Sequence, residues 1–446
     1  MMMRMLGLGL VLSGCTGSIT EVTDFSVDVS EAVVTVATAS WVTDSEVAVV
    51  LEYGETDAFG METPATSDSS IPVLGLRADT TYMARLRTTD EEPQYSKTVT
   101  FTTGPLPNVL PTLTATGEAD EPFYMAVPVL TDGQAWPAII DNAGNYVWYH
   151  IDETGLDVYR TQLSVDGKSV LYNAGSVSGD PADDSKLFRV SLDGTSVEEI
   201  VLPLLAHDFV ELPDGTIAAM VTEYREVEID GETYTFRGDQ IVEVAPDGSQ
   251  QLAWSAWDCF DPTEETGENF DPEDEEHDWT FGNAIDYDPV DDVYYQGMRN
   301  FSSIARIDRQ TGSCEWVFGT HGATVEPDGN SDIFQHQHQF DIDGDNIVVF
   351  DNDGSTEPTS RVLEYRLDAA AGTAEQVWSY TPPSNLYTFV LGDVHRFDDG
   401  DTLVTWSVLG QIDRVSADGE SIWTVNSSLG YAFGFNYVTS SMYVVD

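Results

Sequence analysis

Arg299 ends an apolar, aromatic run, Val293-Tyr294-Tyr295-Gln296-Gly297-Met298, in a chain that carries 78 Asp and Glu against 18 Lys and Arg. A guanidinium is a planar fork of donors that fits the oxygens of an oxyanion. In so acidic a chain this Arg asks for an anion and for further uncharged donors around it. Asn283, His207, His336 and His338 are the residues whose types supply them. An amide and neutral imidazoles donate hydrogen bonds without adding negative charge. A sulfate or phosphate ester is the ligand such a set fits best. An imidazole held in one tautomer, as Asp351 could hold His336, is equipped to act as base or nucleophile.

For these residues to meet, distant stretches of chain must converge. Asp-Gly, the strongest short hairpin signal, recurs at Asp132, Asp166, Asp193, Asp214, Asp247, Asp343, Asp399 and Asp418, nearly always between apolar-alternating runs. No helical period survives, and antiparallel units repeating at roughly 40 to 50 residues predict a β-propeller. Six blades are expected, with cores near 111–150, 157–203, 207–258, 283–319, 336–380 and 394–426. Trp148, Trp254, Trp316, Trp378 and Trp423 close several of them and read as packing between sheets. Residues 431–445 are too few for a blade and are expected to return to the first one, closing the ring. First strands of blades begin at one rim, and partners in a hairpin are equidistant from its turn. That symmetry puts Asn283 opposite Arg299 and His336 opposite Asp351, with His338 on the face of His336 and His207 opening another first strand.

Ahead of this region, about Thr20 to Thr103 alternates in short runs typical of a β-sandwich, so 15–103 is expected to be one. Trp41-Val42-Thr43-Asp44, Tyr53-Gly54, Leu74-Gly75-Leu76, Thr80-Thr81-Tyr82 and Phe101-Thr102-Thr103 resemble a fibronectin type III domain. Gly104-Pro105-Leu106-Pro107 opens a stiff linker over 104–111, leaving 112–446 for the propeller. The chain therefore reads as all-β: an N-terminal Ig/fibronectin III-like sandwich followed by a six-bladed propeller. Residues 1–14 read as a signal peptide, and Leu12-Ser13-Gly14-Cys15 resembles a lipobox. That implies a lipid on Cys15 and an exported lipoprotein of the periplasm, outer membrane or cell surface, attached to the membrane by that anchor only. Cys259 and Cys314 are then left either to pair in an oxidising compartment or to remain as two buried thiols. The net charge of -60 repels phosphate backbones and anionic lipid, which argues against nucleic acid as a partner.

His207-Asp208 before Leu212-Pro213-Asp214-Gly215, Asp278-Trp279-Thr280 with Asn283-Ala284-Ile285-Asp286, Met298-Arg299-Asn300, and Gln335-His336 before Val349-Phe350-Asp351-Asn352 form an ordered set. This set resembles the arylsulfotransferase family from about residue 111 onward. The resemblance implies a six-bladed propeller that moves a sulfuryl group from an aryl sulfate donor to a phenolic acceptor by a ping-pong route through a sulfated histidine. It implies no nucleotide donor, and neither a cofactor nor a metal is expected. His336 takes the nucleophile's place in it, with Arg299, Asn283 and His207 on the sulfuryl oxygens and His338 as the neighbouring imidazole. One position departs: the family commonly has His two residues before the Asn, where this chain has Phe281. Either His277 or His338 stands in, or the anion site is one donor short, which costs on the order of a hundredfold in rate. The alternatives are a non-catalytic surface propeller that binds a glycan or protein, and a Ca²⁺-dependent hydrolase or lactonase. Two loops are expected to overhang the rim: Cys259 to Glu276, with nine carboxylates, and the aromatic Asn385-Leu386-Tyr387-Thr388-Phe389. Asp341-Ile342-Asp343-Gly344-Asp345 reads as a hairpin turn and not as a Ca²⁺ loop.

Overall fold

The computed structural model describes residues 22–43, 47–119, 121–131, 134–151, 154–175, 182–268, 270–353, 358–383, 386–430 and 433–444. The signal segment, Cys15, the turn at Asp132 and Asn385 lie outside them. Among the described residues the secondary structure is strand, with short 3-10 turns and no α-helix. Two compact units are present. Of the described residues, the first comprises those up to Asp28, Thr38–Val73 and Thr81–Thr102, and the second Val29–Ala37, Leu74–Thr80 and those from Thr103 onward.

In the first unit Val22–Val29, Ala37–Thr43 and Ser70–Val73 form a three-stranded sheet, and Met61–Glu62, Val49–Gly54, Thr81–Thr88 and Val99–Thr102 a four-stranded one. Alternation in Thr81–Thr88 buries Tyr82, Ala84 and Leu86. On the other face Arg85 and Arg87 both grip Glu52.

The second unit repeats one pattern. Strands taken in chain order form an antiparallel sheet from Asp157–Leu163, Ser169–Gly175, Lys186–Ser191 and Val197–Val201, and another from Leu205–Glu211, Ile217–Ile229, Glu232–Val244 and Gln250–Ser255. The next two begin with Gly282–Asp288 and Phe340–Asp343, and a further one with Asp393–Arg396. The sheet of Tyr124–Thr131, Gln134–Asp141 and Tyr146–Tyr149 takes its fourth strand from Tyr437–Thr439, so the C-terminal segment returns as expected. Leu113–Gly117, assigned above to this same sheet, instead pairs with Ser421–Ser427 at the far end of the chain. A strand that precedes the first hairpin is free to cover the exposed edge of the last sheet, and an open edge is what the fold must remove.

The glycines at positions 167, 194, 215, 248, 344, 400 and 419 all have φ between +57° and +92°, the left-handed region the Asp-Gly turns require. The tryptophans link successive sheets. The indole N–H of Trp148 donates to Leu192 O at 3.0 Å, Trp378 to Ala417 O at 3.0 Å and Trp423 to Asn142 O at 2.8 Å. Cys259 and Cys314 are joined in a disulfide, Cα atoms 5.9 Å apart, which pins the start of the acidic loop.

The first strands of the sheets meet at a buried polar hub. Arg160 forms a two-pronged ion pair with Asp208, which is fully buried. Arg160 also donates to Asn436 O at 2.7 Å and to Gln339 Oε1 at 2.8 Å. Gln339 Nε2 and the backbone N–H of Ile285 complete Asp208 at 2.8 and 3.1 Å, and Asn436 N–H donates to Asp393. Each of the repeated sheets thus contributes one group. A charge so enclosed is tolerable only while paired, because truncating one partner strands the other. Arg160→Met is therefore expected to lower the stability measured by urea unfolding by about 3–5 kcal/mol, and Arg160→Met combined with Asp208→Leu to recover most of the loss.

Candidate functional site

Strand pairing fixes where the singled-out residues fall, and it differs from turn symmetry at two places. Phe340 pairs with Val349 and Asp343 with Asn346, so the loop is Gly344-Asp345 and the register lies one step later than a turn centred on Asp343-Gly344. His338, not His336, is consequently the histidine beside the end of the partner strand, and its backbone N–H donates to Phe350 O at 3.2 Å. In the preceding sheet a bulge interrupts the ladder between Gly282 and Ala284. Arg299 N–H then donates to Phe281 O at 2.9 Å, and Asn283 does not face Arg299. Bulges are invisible to symmetry arguments because they add a residue to one strand only.

His207, Arg299 and His338 are brought into one electrostatic neighbourhood. The His207 imidazole is pulled down to about 4, first by burial and then, against a hydrogen bond to Gly282 backbone, by the charges of Arg299 and Arg237. His338 is 2% exposed, and burial lowers it to about 3 against its hydrogen bond to Asn352, with Arg299 and His207 adding to the shift. Arg299 is itself lowered by burial, opposed by Glu268, Asp278 and Tyr387. Among the described residues its guanidinium has no ion pair, and Nη1 donates to Asn300 Oδ1 at 3.0 Å.

The tautomer of His338 is dictated by its neighbour. Asn352 Nδ2 donates to Thr388 O and Leu391 O, both at 2.8 Å, which fixes the amide's orientation. Its Oδ1, 2.7 Å from His338 Nδ1, can only accept, so Nδ1 carries the proton and Nε2 holds a lone pair. Asp351, expected to orient the imidazole, is instead committed to Arg361 at 2.8 Å and to Gln335 N–H at 2.9 Å.

Phe281 stands inside the cluster. Its ring centroid lies 5.0 Å from that of His207 and 5.4 Å from the Arg299 guanidinium carbon, while Tyr159 covers His207 from another side at 4.9 Å. Phe281 adopts φ +48°, held by Asp239, which accepts from Thr280 Oγ1 and, at 2.6 Å, from Gly282 N–H. Any side chain at Gly282 would meet Gln296 Nε2 at 2.5 Å and Asp239 Cγ at 2.6 Å, so the close approach demands glycine.

Asn283 is fully buried, and its Nδ2 donates to Gln337 O at 2.7 Å, so it ties down the backbone between His336 and His338. His336 is partly exposed and its Nε2 bonds Glu268 of the acidic loop. His277 does not join the cluster: it is enclosed by Tyr234, Phe236 and Phe270 at 5.3, 5.2 and 4.7 Å, and among the described residues neither ring nitrogen has a partner. Glu268, Tyr159 and the carbonyls of Thr388 and Leu391 were not singled out from sequence, and no local pattern marks them. Among the described residues no group of three or more His, Cys, Asp or Glu is arranged to hold a metal ion.

Residues 109–431 match the model of the family described as Arylsulfotransferase (ASST). No curated protein matches the chain. Among solved structures it is similar to a protein of unknown function from Bacteroides caccae, with 12% identity over 72% of this chain and 100% of that one and a TM-score of 0.46. It is similar also to the periplasmic gluconolactonase PpgL of Pseudomonas aeruginosa, at 10% identity over 72% and 99% with a TM-score of 0.41. For virginiamycin B lyase of Staphylococcus aureus the values are 13%, 69%, 86% and 0.38.

Because His207 and His338 are neutral when folded but ordinary when unfolded, the unfolded chain binds more protons and stability falls as the pH drops below about 6.5. Their ¹⁵N signals are expected to stay those of neutral imidazoles between about pH 8 and pH 5, where an unperturbed histidine titrates. Asn352→Asp places a carboxylate on Nδ1 and is expected to raise the His338 midpoint by about one unit or more in the same titration.

Proposed function

The chain belongs to the arylsulfotransferase (ASST) family, and from that premise we propose that it moves a sulfuryl group from an aryl sulfate to a phenol through a covalent adduct on His338. A sulfotransferase-like function follows from the family; the intermediate and the residues are the proposal. The observation that carries it is a neutral imidazole with Nδ1–H pinned by Asn352 and a lone pair on Nε2, in the field of a half-buried Arg299 that has no ion pair among the described residues.

That arrangement suits attack on sulfur. A protonated imidazole has no lone pair to give, and burial keeps this one neutral. As Nε2 forms the bond to sulfur and the aryl oxygen leaves with its electron pair, charge persists on the three remaining sulfuryl oxygens. Arg299 supplies a fixed cation with bidentate donors for them in a site shielded from water, where such stabilisation is strongest. Asn283 acts by holding the His336–His338 backbone. Phe281 gives a flat apolar wall that an aryl ring can stack on, in place of a donor. His336, the nucleophile in the reading from resemblance, is more exposed and tied to a carboxylate, which is why His338 is preferred here.

We place this site on a six-bladed propeller preceded by a fibronectin III-like sandwich, in a lipoprotein exported and anchored through Cys15. A second reading, a propeller that binds its partner without chemistry, is favoured by one feature: Phe281 and Glu268 leave the Arg299 site with an apolar face and a carboxylate where donors would serve an anion.

Purified protein incubated with 4-nitrophenyl sulfate is expected to release nitrophenol only when a phenol acceptor is present, and to form the acceptor's sulfate ester. His338→Gln is expected to abolish turnover and Arg299→Lys to lower kcat by about a hundredfold or more, as for a lost transition-state donor. Release without acceptor favours hydrolysis, and no release with any donor favours the binding reading.

A further inference from the structure

Sulfuryl transfer between phenols also moves a proton, from the oxygen of the acceptor to the oxygen of the departing aryl group. A phenol titrates near 10, so at neutral pH only about one molecule in a thousand is already a phenolate. A group that gives and takes that proton at the reacting oxygens is worth about 10²–10⁴-fold.

The chain has seven histidines, and most are committed elsewhere. His338 donates its only ring N–H to Asn352, and burial makes both it and His207 very weak bases. His277 is walled in by aromatic rings, His321 is held by Glu265 at 2.9 Å, and His395 pairs with Asp341 at 3.0 Å beside a different cavity of about 270 Å³. His150 packs against Tyr172 in the first sheet. His336 alone combines a partly exposed ring, a carboxylate partner and proximity to Arg299, since Glu268 both bonds its Nε2 and acts on the Arg299 charge.

The backbone around His336 is built to hold that position. Its φ is +53°, a left-handed conformation that is unfavourable for a non-glycine residue and persists only where surrounding bonds hold it. Its N–H donates to Ser302 Oγ at 3.1 Å, at the end of the turn Arg299–Phe301. Gln337 Nε2 donates to Met298 O and Ser303 O at 3.1 and 3.0 Å, so the His336-Gln337-His338 triplet is fastened to both sides of the Arg299 turn.

We propose that His336, oriented by Glu268, is the proton carrier of the transfer: its Nδ1 donates to the aryl oxygen that leaves and accepts from the phenol that enters. This rests on the reaction proposed above. A carboxylate can only accept, so Glu268 keeps a proton on Nε2 and leaves Nδ1 to exchange. In the first half-reaction the Nε2 lone pair of His338 forms the N–S bond, the S–O bond breaks with its pair on the aryl oxygen, and the Nδ1 proton of doubly protonated His336 passes to that oxygen. In the second, Nδ1 takes the phenol's proton, the phenol oxygen forms the new S–O bond, and the N–S pair returns to His338.

The test is leaving-group dependence. A phenolate stabilised by a nitro group needs no proton to depart, whereas the parent phenolate does. For His336→Asn, chosen because Asn tolerates left-handed backbone, and for Glu268→Gln in the loop, kcat/KM is measured on 4-nitrophenyl sulfate and on phenyl sulfate. Both variants are expected to lose at least about tenfold more on phenyl sulfate. The same ratio is expected when a phenol replaces a nitrophenol as acceptor. A uniform loss across donors, or none, overturns this assignment while leaving transfer through His338 intact. A wild-type chain that transfers nothing from any donor overturns both.

Discussion

The largely enclosed guanidinium of one arginine organises the second unit. Arg160 sits where the first strands converge, and its charge is neutralised by Asp208 while Gln339 and the carbonyl of Asn436 take its other donors. Such a group cannot be partly satisfied, since an unpaired buried charge costs far more than a lost surface contact. Every sheet must therefore present its inner strand at the correct height, and the residues one or two positions along those strands inherit that precision. His207 directly precedes Asp208, and His338 directly precedes Gln339. The hub thus sets the heights of both imidazoles.

What the hub cannot do is choose protonation states, and local contacts do that. Burial removes the proton from His207 and His338, and Asn352 decides which nitrogen of His338 keeps the one that remains. Asn352 is itself decided by two backbone carbonyls of the 388–391 segment. Arg299 reinforces the neutral state of both rings and, among the described residues, has no carboxylate paired to it. Three of the non-glycine residues with positive φ, Phe281, Ser302 and His336, fall next to the cluster. Strain of this kind persists only where surrounding bonds over-determine it. Here Asp239, Ser302 Oγ and the Gln337 amide supply those bonds.

The wholly β character, the Asp-Gly turns and the return of the C-terminal segment could be read from residues because each depends on local chemistry: alternation, left-handed glycine, and a stretch too short to stand alone. His207, Arg299 and His338 could be nominated because their types are rare in so acidic a chain and their positions recur at strand ends. The sequence determined that much by itself. Tertiary structure decided the rest. A one-step change of register in the 340–351 hairpin and a bulge at Gly282–Ala284 moved His338 inward and turned Asn283 toward Gln337. Asn352 as the group that orients His338, Glu268 over His336, and Leu113–Gly117 on the last sheet all involve partners brought together only when distant segments pack. Side-chain alternation has a period of two whatever the register, so a slip of one residue is silent in sequence and decisive in space.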